Sequence, residues 1–212
     1  MFHFDPIGIE GSLWVKALSF KYFKYFLGPI VIVIIAAMPS TLYAALSIEL
    51  DGFLSTDNFK NSETTADSKS VYSLDFLANL DNKKQFYAGF HVGQVAVTET
   101  LASTTTTTFS SLDMGPFIAY MFDQKGSFSL SLGYNVKSTG TYNDGTNLAA
   151  WSGTSVLASF GVMPAFGENF YLGFKLNYYA ATYTKEVVTT TASDISYTRT
   201  LVYPTFGLAW RY

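Results

Sequence analysis

From residue 46 onward, apolar and polar side chains alternate with a period of two, in stretches of about ten residues separated by turn-forming clusters. The cleanest stretch sets Phe128, Leu130, Leu132, Tyr134 and Val136 on one face against Ser129, Ser131, Gly133, Asn135 and Lys137 on the other. The chain ends in the same way, with Val202, Pro204, Phe206, Leu208, Trp210 and Tyr212 opposed to Tyr203, Thr205, Gly207, Ala209 and Arg211. Seven strands are predicted at about 46–55, 71–80, 85–97, 109–122, 128–137, 151–164 and 170–183, and an eighth runs to Tyr212. Short turns are read at 81–84, 123–126 and 166–169. Longer polar stretches lie at 55–70, between strands three and four, at 138–147 and at 185–196, so long and short connections alternate.

The two faces decide what surrounds such a sheet. A soluble sandwich or lipocalin-like barrel would turn its apolar face inward and coat its outside with polar groups. Here the polar face is too rich in glycine and serine to form a solvated coat, and the apolar face is too continuous to fill a small interior. The pattern therefore predicts an all-β protein, a closed eight-stranded antiparallel transmembrane β-barrel. Closure is required because an unpaired backbone group in hydrocarbon costs several kcal/mol.

Composition agrees with one domain that has something apolar to meet. Of 212 residues, 49% are hydrophobic, 17% aromatic and only 14% charged. There is no cysteine, which removes disulfides and thiolate metal sites. Two histidines, His3 and His91, leave a zinc site dependent on carboxylates, a poor match to that metal. The net charge of -3 excludes a strongly basic nucleic-acid-binding chain.

The N-terminal 45 residues read differently. Lys21 and Lys24 precede the apolar run Phe26 to Met38, and Pro39-Ser40-Thr41 with the small residues Ala44 and Ala45 follows it. Charge, greasy core and small-residue exit predict a signal-peptide helix over 1–45, cleaved after Ala44 or Ala45, ahead of a barrel domain over 46–212. The alternative is a retained inner-membrane helix, favoured by the absence of charge from Tyr25 to Ile48. Residues 1–20 form an unusually long lead, as a start assigned too far upstream would produce. Losing Lys16, Lys21 and Lys24 with Asp5 and Glu10 would leave the mature chain more negative by a single charge.

The inward face collects Glu49, Asp51, Asp75, His91, Asp113, Lys137, Lys175 and Arg211. Eight strands enclose a space just wide enough for side chains. These mixed charges are therefore expected to pair with one another and brace the interior, instead of lining an open pore. Strands one and eight close the ring, so a Glu49–Arg211 salt bridge is expected. Charged ends more than roughly 6 Å apart would refute it. Matching faces across the turn at 81–85 sets Asp75 opposite His91, and an alternative register sets it opposite Gly89. An aspartate beside a histidine serves in catalytic dyads, but a carboxylate satisfying an interior imidazole is the commoner arrangement. No Gly-x-Ser-x-Gly elbow, Walker loop, paired-histidine metal motif or dinucleotide fingerprint is present. Neither enzyme activity nor a cofactor is expected.

Two threonine-rich stretches, Ser103 to Thr108 and Val187 to Thr191, can either prolong their strands as a protruding sheet or form plain solvated loops. A protruding sheet could meet a surface partner by strand addition.

The signal segment, the eight alternating strands and the ending Gly207-x-x-Trp210-x-Tyr212 resemble the small outer-membrane barrels of Gram-negative bacteria, the OmpA/OmpX/OmpW-like group. The likeness is architectural, covers about residues 44–212, and has tyrosine where the terminal residue is more often phenylalanine. It implies outer-membrane lipid as the solvent, periplasmic chaperones as escorts and a barrel-assembly machinery that reads Gly207, Trp210 and Tyr212. The peptidoglycan anchoring of OmpA is not expected, as Tyr212 ends the chain. The resemblance to OmpW keeps open a narrow passage for small or hydrophobic solutes, beside a structural or surface-interaction role. A lipid-modifying enzyme is a third reading that would depend on His91 or Asp75.

Overall fold

The structure is a computed structural model that describes residues 46–57, 64–101, 106–123 and 125–212. The expected signal segment lies outside the described residues. Eight strands follow in order: β1 (Leu46–Asp57), β2 (Thr64–Asn79), β3 (Phe86–Leu101), β4 (Thr106–Met121), β5 (Phe128–Asn143), β6 (Leu148–Val162), β7 (Phe170–Val188) and β8 (Thr191–Arg211). Each pairs antiparallel with the next, and β8 returns to β1, so the sheet is a closed barrel. Outward apolar side chains are well exposed, Leu132 at 50% and Phe174 at 64%, while their inward neighbours are buried.

Local chemistry explains the tight end. Oδ1 of Asp81 accepts hydrogen bonds from the amides of Phe86 (2.8 Å) and Gln85 (2.9 Å) and from Asn79 Nδ2 (2.9 Å). The Phe86 amide is the largest cause that holds this carboxyl below its ordinary pKa. Asp123 Oδ1 takes the amide of Phe128 (3.1 Å) in the next turn. These side-chain acceptors replace ladder partners where the chain reverses.

At the opposite end the barrel is taller than its sequence predicts. The polar stretch read as a loop at 55–70 supplies the tops of β1 and β2. The stretch at 138–147 is mostly strand, turning only at Asp144–Asn147, where Asp144 Oδ1 accepts from Thr146 N (2.9 Å) and Asn147 N (2.6 Å). The expected loop at 185–196 is a hairpin whose ladder continues to Val188 and Thr191. Thr106–Thr108 likewise belong to β4, so the threonines extend their strands where they are described.

Thr189 opens that last turn with φ of 58°, a conformation that a β-branched side chain adopts only under strain. Replacing Thr189 with glycine is expected to stabilise the barrel by about 1 kcal/mol. The urea midpoint of the refolded protein measures it, and an unchanged or lower midpoint would contradict the strain.

Two irregularities shape the sheet. The β5–β6 register shifts between Asn135 and Ser138, which places Val136 and Lys137 together on the outer face. Lys137 is therefore exposed, contrary to the alternation that predicts it inside, and Ser138 takes the inward place. The seam between β1 and β8 is short, with Ser47–Gly52 pairing Arg211–Phe206. Continuing that register would set Leu54 against Pro204, which has no amide hydrogen to donate.

Candidate functional site: the barrel interior

Near the tight end the inward side chains form one ionic network. Lys175 on β7 reaches across the lumen to Glu49 Oε2 (2.6 Å) and Asp51 Oδ2 (2.8 Å) on β1, and lies 3.8 Å from Asp75 Oδ2 on β2. Arg211 on β8 binds Glu49 Oε1 (2.9 Å), donates to the carbonyl of Gly126 (2.6 Å) and stacks over Tyr171 at 4.3 Å. The β2–β3 register sets Asp75 opposite His91, with Nδ1 to Oδ1 at 2.5 Å. All six charged or titratable groups are buried. Three carboxylates face the two permanent cations Lys175 and Arg211, and the His91 ring hydrogen-bonds one of them, Asp75.

Glu49, Asp51 and Asp75 also have the geometry of a metal ligand set. The ammonium of Lys175 already lies among them, close enough to serve as their cation. His91 stacks against Phe117 (centroids 5.5 Å apart, 26° between planes) and is 3% exposed, which closes the Asp75–His91 pair to any sizeable substrate.

Asp113 is held differently. With Lys137 outside, its carboxylate is satisfied by hydroxyls: Tyr179 at 3.0 and 3.1 Å, Ser155 at 2.8 Å and Ser111 at 2.9 Å. Asn135 Nδ2 donates to Ser155 (2.9 Å), and Tyr179 touches Tyr183 at 3.5 Å. A third set joins Ser159 to Asn177 Oδ1 (2.6 Å) and Asn177 Nδ2 to Thr205 (2.9 Å). Hydrogen bonds linked in this way stabilise each other in a low-dielectric interior. Phe117, Met121, Leu157 and Tyr203 fill space between them. Buried side chains thus occupy the lumen from the Lys175 network up to Tyr183.

Above Tyr183 the lumen opens into a cavity of about 720 Å³ at the tall end. Its walls carry Tyr142, Trp151, Tyr183, Glu186, Tyr197 and Arg199. Sequence reading missed this group. Glu186 falls in a stretch read as loop, and a register shift between Tyr183 and Lys185 breaks the inward alternation that would have marked it. The inward parity of Trp151 was the available signal, since β6 buries Ala149 and Ser155 on the same face.

Of the residues expected to guide assembly, Gly207 lies inside against Asp51, while Trp210 and Tyr212 stack on one another at 6.0 Å. Tyr212 is 72% exposed.

No protein-family model matches the chain, and no curated protein matches it. Among solved structures it is similar to Neisserial surface protein A (NspA), at 13% identity and a TM-score of 0.41, over 80% of this chain and 96% of that one. It is also similar to the translocator domain of the autotransporter NalP from Neisseria meningitidis, at 15% identity and a TM-score of 0.37, over 90% of this chain and 69% of that one. Neither likeness is close enough to transfer a property.

Proposed function

We propose that the chain is an integral outer-membrane β-barrel protein whose work is done at the cell surface, with lipid around it and a sealed polar interior bracing it. One observation carries this reading. The outer face is apolar over Leu112–Phe122, Phe128–Val136, Phe170–Tyr178 and Val202–Trp210, nine to eleven residues each, the length a tilted strand needs to cross hydrocarbon. Beyond those stretches the outer face changes to Ser110 and Thr108 on β4, Lys137 and Thr139 on β5, Thr182 and Thr184 on β7, and Thr200 and Thr198 on β8. The apolar surface is thus a belt with a polar upper limit. A soluble monomer rarely exposes a contiguous apolar patch beyond a few hundred Å².

The tight end carries Phe122, Phe128, Phe170 and Tyr212, each well exposed, as interfacial rings are in membrane barrels. That end, with its short turns, is the periplasmic one, and the tall hairpins are extracellular. Export by a cleaved signal peptide, escort by chaperones and recognition of Trp210 and Tyr212 by the assembly machinery belong to the same proposal.

The packed lumen supports a structural or surface-interaction role over a passage for solutes, and the closed Asp75–His91 pair supports a non-catalytic one. Spin labels at Leu132 and Phe174 in lipid-reconstituted protein are expected to report hydrocarbon, and planar bilayers to show no sustained conductance. Labels that report water would sink the membrane reading. A stable single-channel current with hydrocarbon-facing labels would instead replace the brace with a channel.

A further inference from the structure

We infer that the extracellular mouth is a binding site for an uncharged sugar, one or two pyranose rings of a glycan. The cavity of about 720 Å³ lies within the range of small-molecule sites. It ends on Tyr183, which is fully buried and touches the Asp113 network through Tyr179, so it is a dead-end cup.

The lining combines ring faces with polar groups of both kinds. Trp151 stacks on Tyr142 at 5.0 Å with 10° between planes, and meets Tyr197 at 5.1 Å and Tyr183 at 5.5 Å, both tilted. The arrangement fixes the indole and leaves Tyr197 45% exposed. Apolar C–H faces of a pyranose need such rings, because they are the face of a sugar that water solvates poorly.

Hydroxyls need a donor and an acceptor side by side. Trp151 Nε1 donates to Glu186 Oε1 at 2.8 Å, which orients that carboxylate, and Oε2 has no hydrogen-bond partner among the described residues. Arg199 lies over Phe109 at 4.1 Å, with no carboxylate within salt-bridge distance among the described residues. Its Nε is buried without a hydrogen-bond partner among the described residues.

The charges select against ionic ligands. Aromatic rings with a carboxylate suit a quaternary ammonium, but the guanidinium of Arg199 shares the cup. An anion would find Arg199 but also face Glu186, with Asp144 at the rim. Asp144 is occupied by its own turn, through the amides of Thr146 and Asn147. A ligand with no net charge and many hydroxyls uses both signs at once. Binding is a property of the cup alone, and only its exposure to the outside rests on the membrane reading.

The test uses the full-length barrel refolded in detergent micelles, with folding confirmed by heat-modifiable gel migration before each titration. Methyl glucoside, methyl galactoside, lactose and maltose are titrated against tryptophan fluorescence and by calorimetry, with choline and N-acetylneuraminic acid as charged arms. A saturable response to a neutral sugar, retained in Trp210→Phe and weakened at least ~10-fold in both Trp151→Ala and Glu186→Gln, is the expected result. Arg199→Gln, which keeps a donor, should weaken it less than Trp151→Ala. No saturable response to any neutral sugar up to ~50 mM, or a response to choline or the acidic sugar alone, would overturn the inference. So would binding unchanged by Trp151→Ala and Glu186→Gln. None of these outcomes touches the bilayer measurements, so the two readings fail separately.

Discussion

Replacing Lys175 with methionine is expected to cost the barrel about 3–5 kcal/mol. Lys175 is the cation shared by Glu49, Asp51 and Asp75, and removing it leaves three buried carboxylates with Arg211 and His91. Among the described carboxylates Arg211 pairs with Glu49 alone and His91 with Asp75 alone, so Asp51 loses its ion-pair partner. Among the described residues Oδ1 of Asp51 has no hydrogen-bond partner even with Lys175 present, and Oδ2 keeps a long contact from Ser73 Oγ (3.5 Å), so little remains to hold the charge. Urea unfolding of the refolded barrel, followed by its gel migration and tryptophan emission, measures the loss. If Lys175→Met does not refold at all, Lys175→Met combined with Asp51→Asn should recover much of the yield, because the second change removes the charge that the first stranded. A Lys175→Met barrel within about 1 kcal/mol of wild type would show that the network is solvated and not a brace.

The second large effect comes from a residue without a side chain. A Cβ built on Gly89 would collide with the carbonyl oxygen of Phe76 on the adjacent strand, and with the Leu77 backbone beside it. Backbone cannot step aside as a lysine stem can, so β2 and β3 would have to separate at the level where Leu77 pairs Gly89. Gly89→Ala is expected to cost about 3 kcal/mol or to abolish refolding. Gly115, Gly153 and Gly173 meet neighbouring carbonyls in the same way, at Tyr134, Thr182 and Val162. Two of these sites border register shifts, where glycine lets a strand in a narrow barrel bend sharply. Gly167 has nothing among the described residues within 4 Å of its added Cβ, so Gly167→Ala is the control and should refold normally. Equal tolerance of Gly89→Ala and Gly167→Ala would show that the close approach is relieved at little cost.

Both effects act through the interior, whose chemistry was only partly legible in the chain. Parity alone assigned Glu49, Asp51, Asp75, His91, Asp113, Lys175 and Arg211 to the inside, and those residues are buried. The same rule placed Lys137 inside and failed. One extra residue at a bulge inverts every later position until the ladder recovers, and nothing in Asn135-Val136-Lys137-Ser138 announces it. The partners of Asp113 were equally hidden. Four hydroxyl contacts from β4, β6 and β7 replace the cation that a count of charges suggests.

The tall hairpins were illegible for a different reason. Alternation records a difference between the two sides of a sheet, and where both sides are wet the difference disappears although pairing continues. Thr64–Ser70 and Thr191–Tyr197 are polar at nearly every position, yet both are strand. The aromatic cup is built there, from Tyr142, Trp151, Tyr183 and Tyr197 on four different strands, and no local pattern links them.

The order of side chains by itself determined the number of strands, the face each presents and the antiparallel up-and-down path. These follow from a period of two against surroundings that are apolar on one side only. Tertiary structure alone decided the register, the bulge that expels Lys137, the seam that stops short of Pro204, the sharing of Lys175 among three acids and the cup above Tyr183. Each depends on which residues meet across strands far apart in sequence, and the energies of those meetings are set by distance and burial, which a one-dimensional pattern does not contain.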